Sequence, residues 1–185
     1  MQRGIIYFMS LTFDNNYKKY IEEIKKLYLE AFPKIERRSF SQLKDLLEKE
    51  KCKILSIIYQ GDFAGFFILL TNKKSTLIDY FAIKKDFREK SIGSKALKKL
   101  DDGSPYIIEI EPIDKTSPNN QQRIRRKSFY ESLGFKSKEV LIDWYDTQFE
   151  LMSLNDGKSP DSYFALLDHI FTREERIKNI RLHPS

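Results

Sequence analysis

The chain has 185 residues, 41% hydrophobic and 32% charged, with 33 Lys+Arg against 27 Asp+Glu for a net charge of +6, which suits one compact domain and argues against disorder. A single cysteine, Cys52, and two histidines, His169 and His183, exclude a disulfide scaffold and a Cys/His zinc site. The apolar runs Ile5 to Met9 and Ala64 to Leu70 fall far short of the roughly 20 residues of a membrane span, and no small-residue cleavage site follows Arg3 to Met9, so a cytoplasmic protein without a membrane partner is expected.

Ile5 to Phe13 reads as a first strand, with Met9 an alternative start that would make residues 1–8 an upstream extension. Asp14, Asn15 and Asn16 are good N-caps for a helix in which Tyr17, Tyr20, Ile24, Leu27, Tyr28 and Ala31 recur at helical spacing before Pro33. Ser39 with Gln42 predicts a capping box opening a second helix through Leu43, Leu46 and Leu47. Lys53 to Tyr59 and Phe63 to Thr71 form a hairpin about Gln60-Gly61-Asp62, and Thr76 to Ile83 extends it to a meander. A charged loop, Lys84 to Lys90, leads into Ser91-Ile92-Gly93-Ser94 and a helix through Ala96, Leu97 and Leu100. Tyr106 to Glu111 is a short strand, Gln121 to Leu133 a helix with Gly134 as its C-cap, and Val140 to Tyr145 with Gln148 to Ser153 a last hairpin. Gly157 to Pro160 breaks the chain before a final amphipathic helix carrying Tyr163, Leu166, Leu167, Ile170 and Phe171. A meander that changes to strand-helix-strand implies one mixed α/β sheet with helices on both faces.

The turn Arg88-Glu89-Lys90-Ser91-Ile92-Gly93-Ser94 places basic side chains and small residues at a helix start, where unbonded N–H groups and the helix dipole favour a phosphate. It lacks Walker spacing, and it comes too late in the chain for a dinucleotide turn. Downstream, Tyr130-Glu131-Ser132-Leu133-Gly134-Phe135 closes the second helix after that turn. In these two segments the chain resembles the GNAT superfamily of acetyl-CoA-dependent N-acetyltransferases, whose pattern is a [Gln/Arg]-x-x-Gly-x-[Gly/Ala] turn followed by a helix ending Tyr-x-x-x-Gly-Phe. The resemblance runs from Met9 to about Ser153. The departure from it is Ser91 where the family has its first Gly, with Glu89 one residue after the Arg. At a positive φ such a serine costs about 1 kcal/mol.

The resemblance implies a mostly antiparallel sheet of about seven strands flanked by helices, a single domain over 1–185, and an appended C-terminal helix over 157–185. It also implies acetyl-CoA as co-substrate and no metal. Pantetheine would lie along Phe81, Ala82 and Ile83 like an added strand, with the thioester carbonyl held near Ile83 and the pyrophosphate on Ser91, Ile92, Gly93 and Ser94. Arg88, Glu89 and Lys90 complete that turn. Arg126, within the Arg123-to-Lys127 basic cluster, would clamp the adenine-side phosphate, and Tyr130 would be the general acid for the departing thiolate.

Strand alternation puts Glu109 and Glu111 on one face as candidate bases, with Asp79 on the neighbouring strand and a water-mediated base as competitors. Asp79 also joins Glu30, Phe32, Glu36 and Arg37 as candidate acceptor contacts. Trp144 is expected to pack the sheet end, Cys52 to be a buried apolar residue, and the final helix to cap the sheet or meet a second copy. The expected function is transfer of acetyl to a primary amine, on a small molecule or peptide, by direct attack in a ternary complex within a monomer or homodimer. Alternatives are a non-catalytic acyl-CoA-binding or interaction module of the same fold, and a basic nucleic-acid binder, which the mild net charge does not favour.

Overall fold

Cys52–Tyr59 (β2) and Asp62–Thr71 (β3) pair antiparallel around a turn in which Gln60 and Gly61 both take positive φ, 55° and 91°, as in the tight turns that match strand twist. They lie within the sheet of a computed structural model that describes residues 10–144, 147–155, 159–172, 174, 176 and 180–184. In chain order the other elements are Leu11–Asp14 (β1), Ile21–Ala31 (α1), Phe40–Glu48 (α2), Thr76–Ile83 (β4), Lys85–Arg88 (α3), Ile92–Leu100 (α4) and Tyr106–Ile110 (β5). Asn120–Glu131 (α5), Lys136–Trp144 (β6), Thr147–Leu154 (β7), Ser159–Leu167 (α6) and Ile180–Pro184 (β8) complete it.

The described residues form one sheet of eight strands in the order β1-β2-β3-β4-β5-β7-β6-β8. Every neighbouring pair is antiparallel except β4 and β5. The expected mixed sheet of about seven strands is present, and the capping box forms as read, Ser39 accepting from the Gln42 N–H while the Gln42 side chain accepts from Ser39. Gly134, at φ 92°, ends the turn after α5.

Three local differences have physical reasons. Lys85–Arg88, expected as loop, closes a helical turn. β6 begins at Lys136, ahead of the expected Val140, because a register shift between Ser137 and Leu141 lets the strand pair on both sides of an irregularity. The segment read as an appended helix is α6 followed by β8, which pairs with β6 from Val140↔Pro184 to Trp144↔Ile180. Five residues make a strand only where an edge is offered, and β6 offers one. Ile5 to Met9 of the first expected strand, Tyr145 of the last hairpin, and Gly157 and Lys158 of the break lie outside the described residues.

The β3 side chains are buried on both faces of the sheet and divide by alternation between two cores. Phe66, Ile68 and Leu70 join Ile24, Leu27 and Tyr28 of α1, Leu43 of α2 and Tyr163 and Leu166 of α6. Phe67 and Leu69 join Ile92, Ala96 and Leu97 of α4, with Ile108 of β5 and Met152 of β7. Cys52 is buried in the first core, where burial pushes its thiol up to about 12, so it is an inert apolar filler. Among the described residues no helix is long and apolar enough to cross a membrane.

A bulge in β4 changes which way this strand's side chains face. Ile68 pairs with Tyr80 and Leu69 with Ile78, so Asp79 is the extra residue. Leu77 and Tyr80, three apart, therefore share the α1/α2 face, while Ile78 and Ile83 belong to the other.

Gly65 meets β4 at closest approach: a Cβ there would lie 2.2 Å from the Ala82 carbonyl oxygen and 2.9 Å from the Ile83 side chain. Gly65→Ala is expected to cost on the order of 3 kcal/mol, measured as a lowered urea midpoint. At Gly93 a Cβ would meet its neighbours at 3.5 Å or more, so Gly93→Ala should be neutral or stabilise by up to about 1 kcal/mol through helix propensity.

Candidate functional site

β4 and β5 pair only at Thr76↔Tyr106 and Leu77↔Ile107 before they separate. β5 then follows β7 to Ile110↔Glu150, so β4 from Ile78 to Ile83 has no ladder partner on that side. A cleft of about 980 Å³ opens at this separation. Phe81, Ala82, Ile83, Arg88, Arg126 and Tyr130 line one part of it, and Glu30, Phe32, Glu36, Arg37, Asp79, Glu109 and Glu111 the other. The residues singled out from sequence thus converge on one cavity, apart from Glu89 to Ser94, which stand at the turn beyond its lining.

At that turn Ser91 adopts φ 55°, ψ 25°, the left-handed region where glycine is unstrained. It is the N-cap of α4 and makes no side-chain cap bond. The first bond of this helix runs from the Lys95 N–H to the Ser91 carbonyl, so the N–H groups of Ile92, Gly93 and Ser94 have no partner within the helix. Ile83 and Phe81 lie directly against Gly93. Glu89 and Lys90 are exposed, with the Lys90 ammonium 5.1 Å from the centre of the Phe87 ring. Arg88 Nε, 3.0 Å from the Ile83 carbonyl oxygen, closes the loop onto the end of β4.

Tyr130 packs edge-on against Phe129 and Phe135, at 5.2 and 5.4 Å between ring centres. The residue lines the cleft, and its hydroxyl has no hydrogen-bond partner among the described residues. Burial pushes its acidity constant up to about 12, against a smaller opposing pull from Arg126. The basic cluster of α5 is not a loose patch. Arg123 and Arg126 lie 3.0 and 2.9 Å from the two Glu111 oxygens, Lys127 lies 2.7 Å from buried Glu150, and Arg125 Nε donates to the Gln121 carbonyl. Arg126 faces Glu111 here, with its side chain still partly exposed on the cleft. For its part Glu111 is held by two guanidinium groups and by the Asn119 side chain at 3.2 Å.

A second polar cluster forms where the Asp79 bulge faces β5. Arg38, on the link before α2, lies 3.1 Å from one Asp79 oxygen and 3.5 Å from the other. Its guanidinium sits over Phe171 and Trp144, at 5.4 and 6.0 Å. Tyr80 secures that link, accepting from the Arg38 N–H at 3.1 Å and donating to the Glu36 carbonyl at 2.9 Å, while the Tyr28 hydroxyl donates to the Arg38 carbonyl. Burial, reinforced by Glu111, raises the Glu36 carboxyl above its ordinary range.

Glu109 is handled differently. Its Oε1 accepts from Trp144 Nε1 at 3.0 Å and from the Tyr163 hydroxyl, and no described group donates to Oε2. Burial pushes it up to about 7; the Tyr163 and Trp144 bonds and the Arg38 charge pull it down, and Asp79 pushes it further up. Sequence reasoning missed these partners. Trp144, expected to pack the sheet end, bonds Glu109 in the cleft, and Tyr163, expected only as part of an apolar stripe, brings a hydroxyl from α6. They lie 35 and 54 residues from Glu109, and nothing local in the sequence joins them. The described residues contain no cluster of three or more His, Cys, Asp or Glu placed to hold a metal ion.

Residues 21–135 match the family model described as Acetyltransferase (GNAT) family. YjbC of Bacillus subtilis (strain 168), which carries an acetyltransferase name, is 31% identical over 115 residues, 60% of this chain and 56% of that relative, so the match spans little more than half of the relative's length. Among solved structures, a GNAT-family protein from Bacteroides thetaiotaomicron aligns over 90% of this chain and 98% of its own, with a TM-score of 0.70 and 18% identity. A Bacillus subtilis acetyltransferase in complex with CoA aligns over 80% of this chain and 98% of its own, with a TM-score of 0.56 and 18% identity. These two likenesses are of fold. With a family match that covers the separated strands, the Ser91 turn and the Tyr130 helix together, the chain belongs to the GNAT family of acetyltransferases.

Proposed function

We propose that this protein transfers the acetyl group of acetyl-CoA to a primary amine by direct attack within a ternary complex. The observation that carries the reading is the unpartnered edge of β4, which runs from the carboxylate end of the cleft to the unbonded N–H groups of α4. An extended chain carrying amides fits such an edge, and an anionic pyrophosphate fits a helix N-terminus. The CoA complex of a fold neighbour supports the same cofactor.

Acyl transfer requires the attacking nitrogen to lose two protons. The first leaves the alkylammonium, pKa about 10, before attack. The lone pair then adds to the thioester carbonyl, and collapse of the tetrahedral intermediate breaks the C–S bond. Tyr130 protonates the departing sulfur, and the second nitrogen proton, released through water as the amide forms, restores the phenol. A tyrosine held at about 12 by burial keeps its proton until a basic thiolate appears, and its unpartnered hydroxyl is available to give it. Of the carboxylates on the cleft, Asp79 and Glu111 are already paired with guanidinium groups, whereas Glu30, Glu36 and Glu109 have no such pair among the described residues and can meet an approaching cation.

Titration calorimetry with acetyl-CoA, followed by a screen of primary amines, tests the reading. Micromolar binding with turnover is expected; binding without turnover would reduce the protein to an acyl-CoA-binding module, and no binding would leave it with the family fold alone. Tyr130→Phe should lower kcat about 100-fold with the acetyl-CoA Kd unchanged, and an equal loss in both would remove Tyr130 from the acid role. Ser91→Gly relieves the left-handed strain at the turn. It should raise stability by up to about 1 kcal/mol and tighten CoA binding, seen as a higher urea midpoint and a smaller Kd.

A further inference from the structure

We propose that Glu109 takes the proton from the acceptor amine and that Tyr163, reaching in from α6 beyond the family-matched residues, is the positioning residue that holds and tunes it, with Trp144 as its second support. The inference rests on the acetyl-transfer reading above and adds to it the proton acceptor and the part of the fold that controls it.

Three carboxylates line the cleft near the separation of β4 and β5, and their partners distinguish them. Asp79 has both oxygens on Arg38, and Glu111 has its oxygens on Arg123 and Arg126. Glu111 adds the Asn119 amide to its two guanidinium groups, whereas Glu109 alone among the three is bonded by neutral donors only, and both of them meet the same oxygen. Trp144 Nε1 also donates to the Tyr163 hydroxyl, 2.8 Å away, so indole, phenol and carboxylate close a three-membered ring of hydrogen bonds. This fixes the carboxyl plane and leaves Oε2 without a donor. The charged and titratable groups facing Glu109 are Asp79 from β4, Arg38 from the link before α2, Tyr163 from α6, and Glu111 two residues along its own strand.

The step is a proton transfer followed by acyl transfer. The substrate ammonium gives one proton to the Glu109 carboxylate, the neutral amine attacks the thioester carbon, and Glu109 returns its proton to water after the amide leaves. A carboxyl titrating at about 7 is partly ionised near neutrality and returns its proton to water readily; the transfer from an ammonium of pKa about 10 is uphill by about three pH units, far less than to a carboxylate of ordinary pKa. The two donors stabilise the carboxylate form, so removing either raises the proton affinity.

Trp144 is the only tryptophan of the chain, and its indole N–H bonds Glu109, so its fluorescence reports the ionisation of that carboxyl without any substrate. Wild-type emission should titrate with a midpoint near 7, and Glu109→Gln should abolish the transition. Tyr163→Phe should move it upward by about one pH unit, and the ascending limb of kcat/KM should move with it, giving about a tenfold loss at pH 6 that is recovered at high pH. A transition that survives in Glu109→Gln, or an unmoved midpoint and limb in Tyr163→Phe, would overturn the proposal. A midpoint that moves in a protein that acetylates no amine would overturn the base role together with the acetyl-transfer reading. Should Tyr163→Phe not fold, Trp144→Phe carries the same test on the pH–rate limb, which must also shift upward.

Discussion

Two ladder positions, Thr76↔Tyr106 and Leu77↔Ile107, join the antiparallel meander β1 to β4 to the second half of the sheet, and the cleft exists because this pairing is so short. A sheet cut almost in two would normally come apart. Here the side chains take over where the backbone bonds end: Ile78 and Ile83 of β4 and Ile108 and Ile110 of β5 are buried in one cluster with Ile92, Ala96 and Leu97 of α4. The helix closes the floor beneath a gap that its own N-terminus faces. Backbone groups along Ile78 to Ile83 are thereby left accessible from one side instead of buried and unpaired, which is the only inexpensive way to keep a strand edge open inside a sheet.

The bulge at Asp79 determines what stands on the acceptor side of that gap. One extra residue changes the parity of β4, so Tyr80 turns to the α1/α2 face and its hydroxyl meets the backbone of Arg38 and Glu36. The link between α1 and α2 is anchored to the sheet by those two bonds, and Phe32, which packs edge-on to Tyr80 at 4.9 Å, and Glu36 take their places on the cleft from it. The bulged Asp79 itself captures Arg38. A local irregularity in one strand thus carries a loop, an ion pair and an aromatic wall with it.

Much of this was legible in the sequence, and the boundary between what was and was not follows sequence separation. The capping box at Ser39, the tight turn at Gln60-Gly61, the C-cap at Gly134 and the bounds of β4 depend on neighbours within a few residues, and they form as read. The left-handed conformation of Ser91 was legible as a consequence of the motif it interrupts. Ion pairing on the cleft was not: alternation places Glu109 and Glu111 on one face but is silent on the fact that Arg123 and Arg126 close on one and Trp144 and Tyr163 on the other. Strand β8 was missed for the same reason. Ile180-Arg181-Leu182 alternates as a strand should, yet its stability comes from a β6 edge some 40 residues away, between Val140 and Trp144.

The C-terminal segment bears most directly on the chemistry of the site. Trp144 is the last residue of β6, where a strand end would ordinarily fray, but it is paired to Thr147 on one side and to Ile180 of β8 on the other. Its indole is further fixed against Phe171, 5.5 Å away, beneath the Arg38 guanidinium. The family-matched residues 21–135 contribute Glu109 and Asp79, whereas both donors to Glu109 come from beyond them. Burial sets the sign of the shift at Glu109, and the two donors, with the charges of Asp79 and Arg38, set how far it goes. A chain with the same sheet and the same Ser91 turn but a different segment after β7 would present the same carboxylate with a different affinity for protons. In this protein the family-matched residues carry the carboxylate, and Trp144 and Tyr163, from beyond them, lower its affinity for protons.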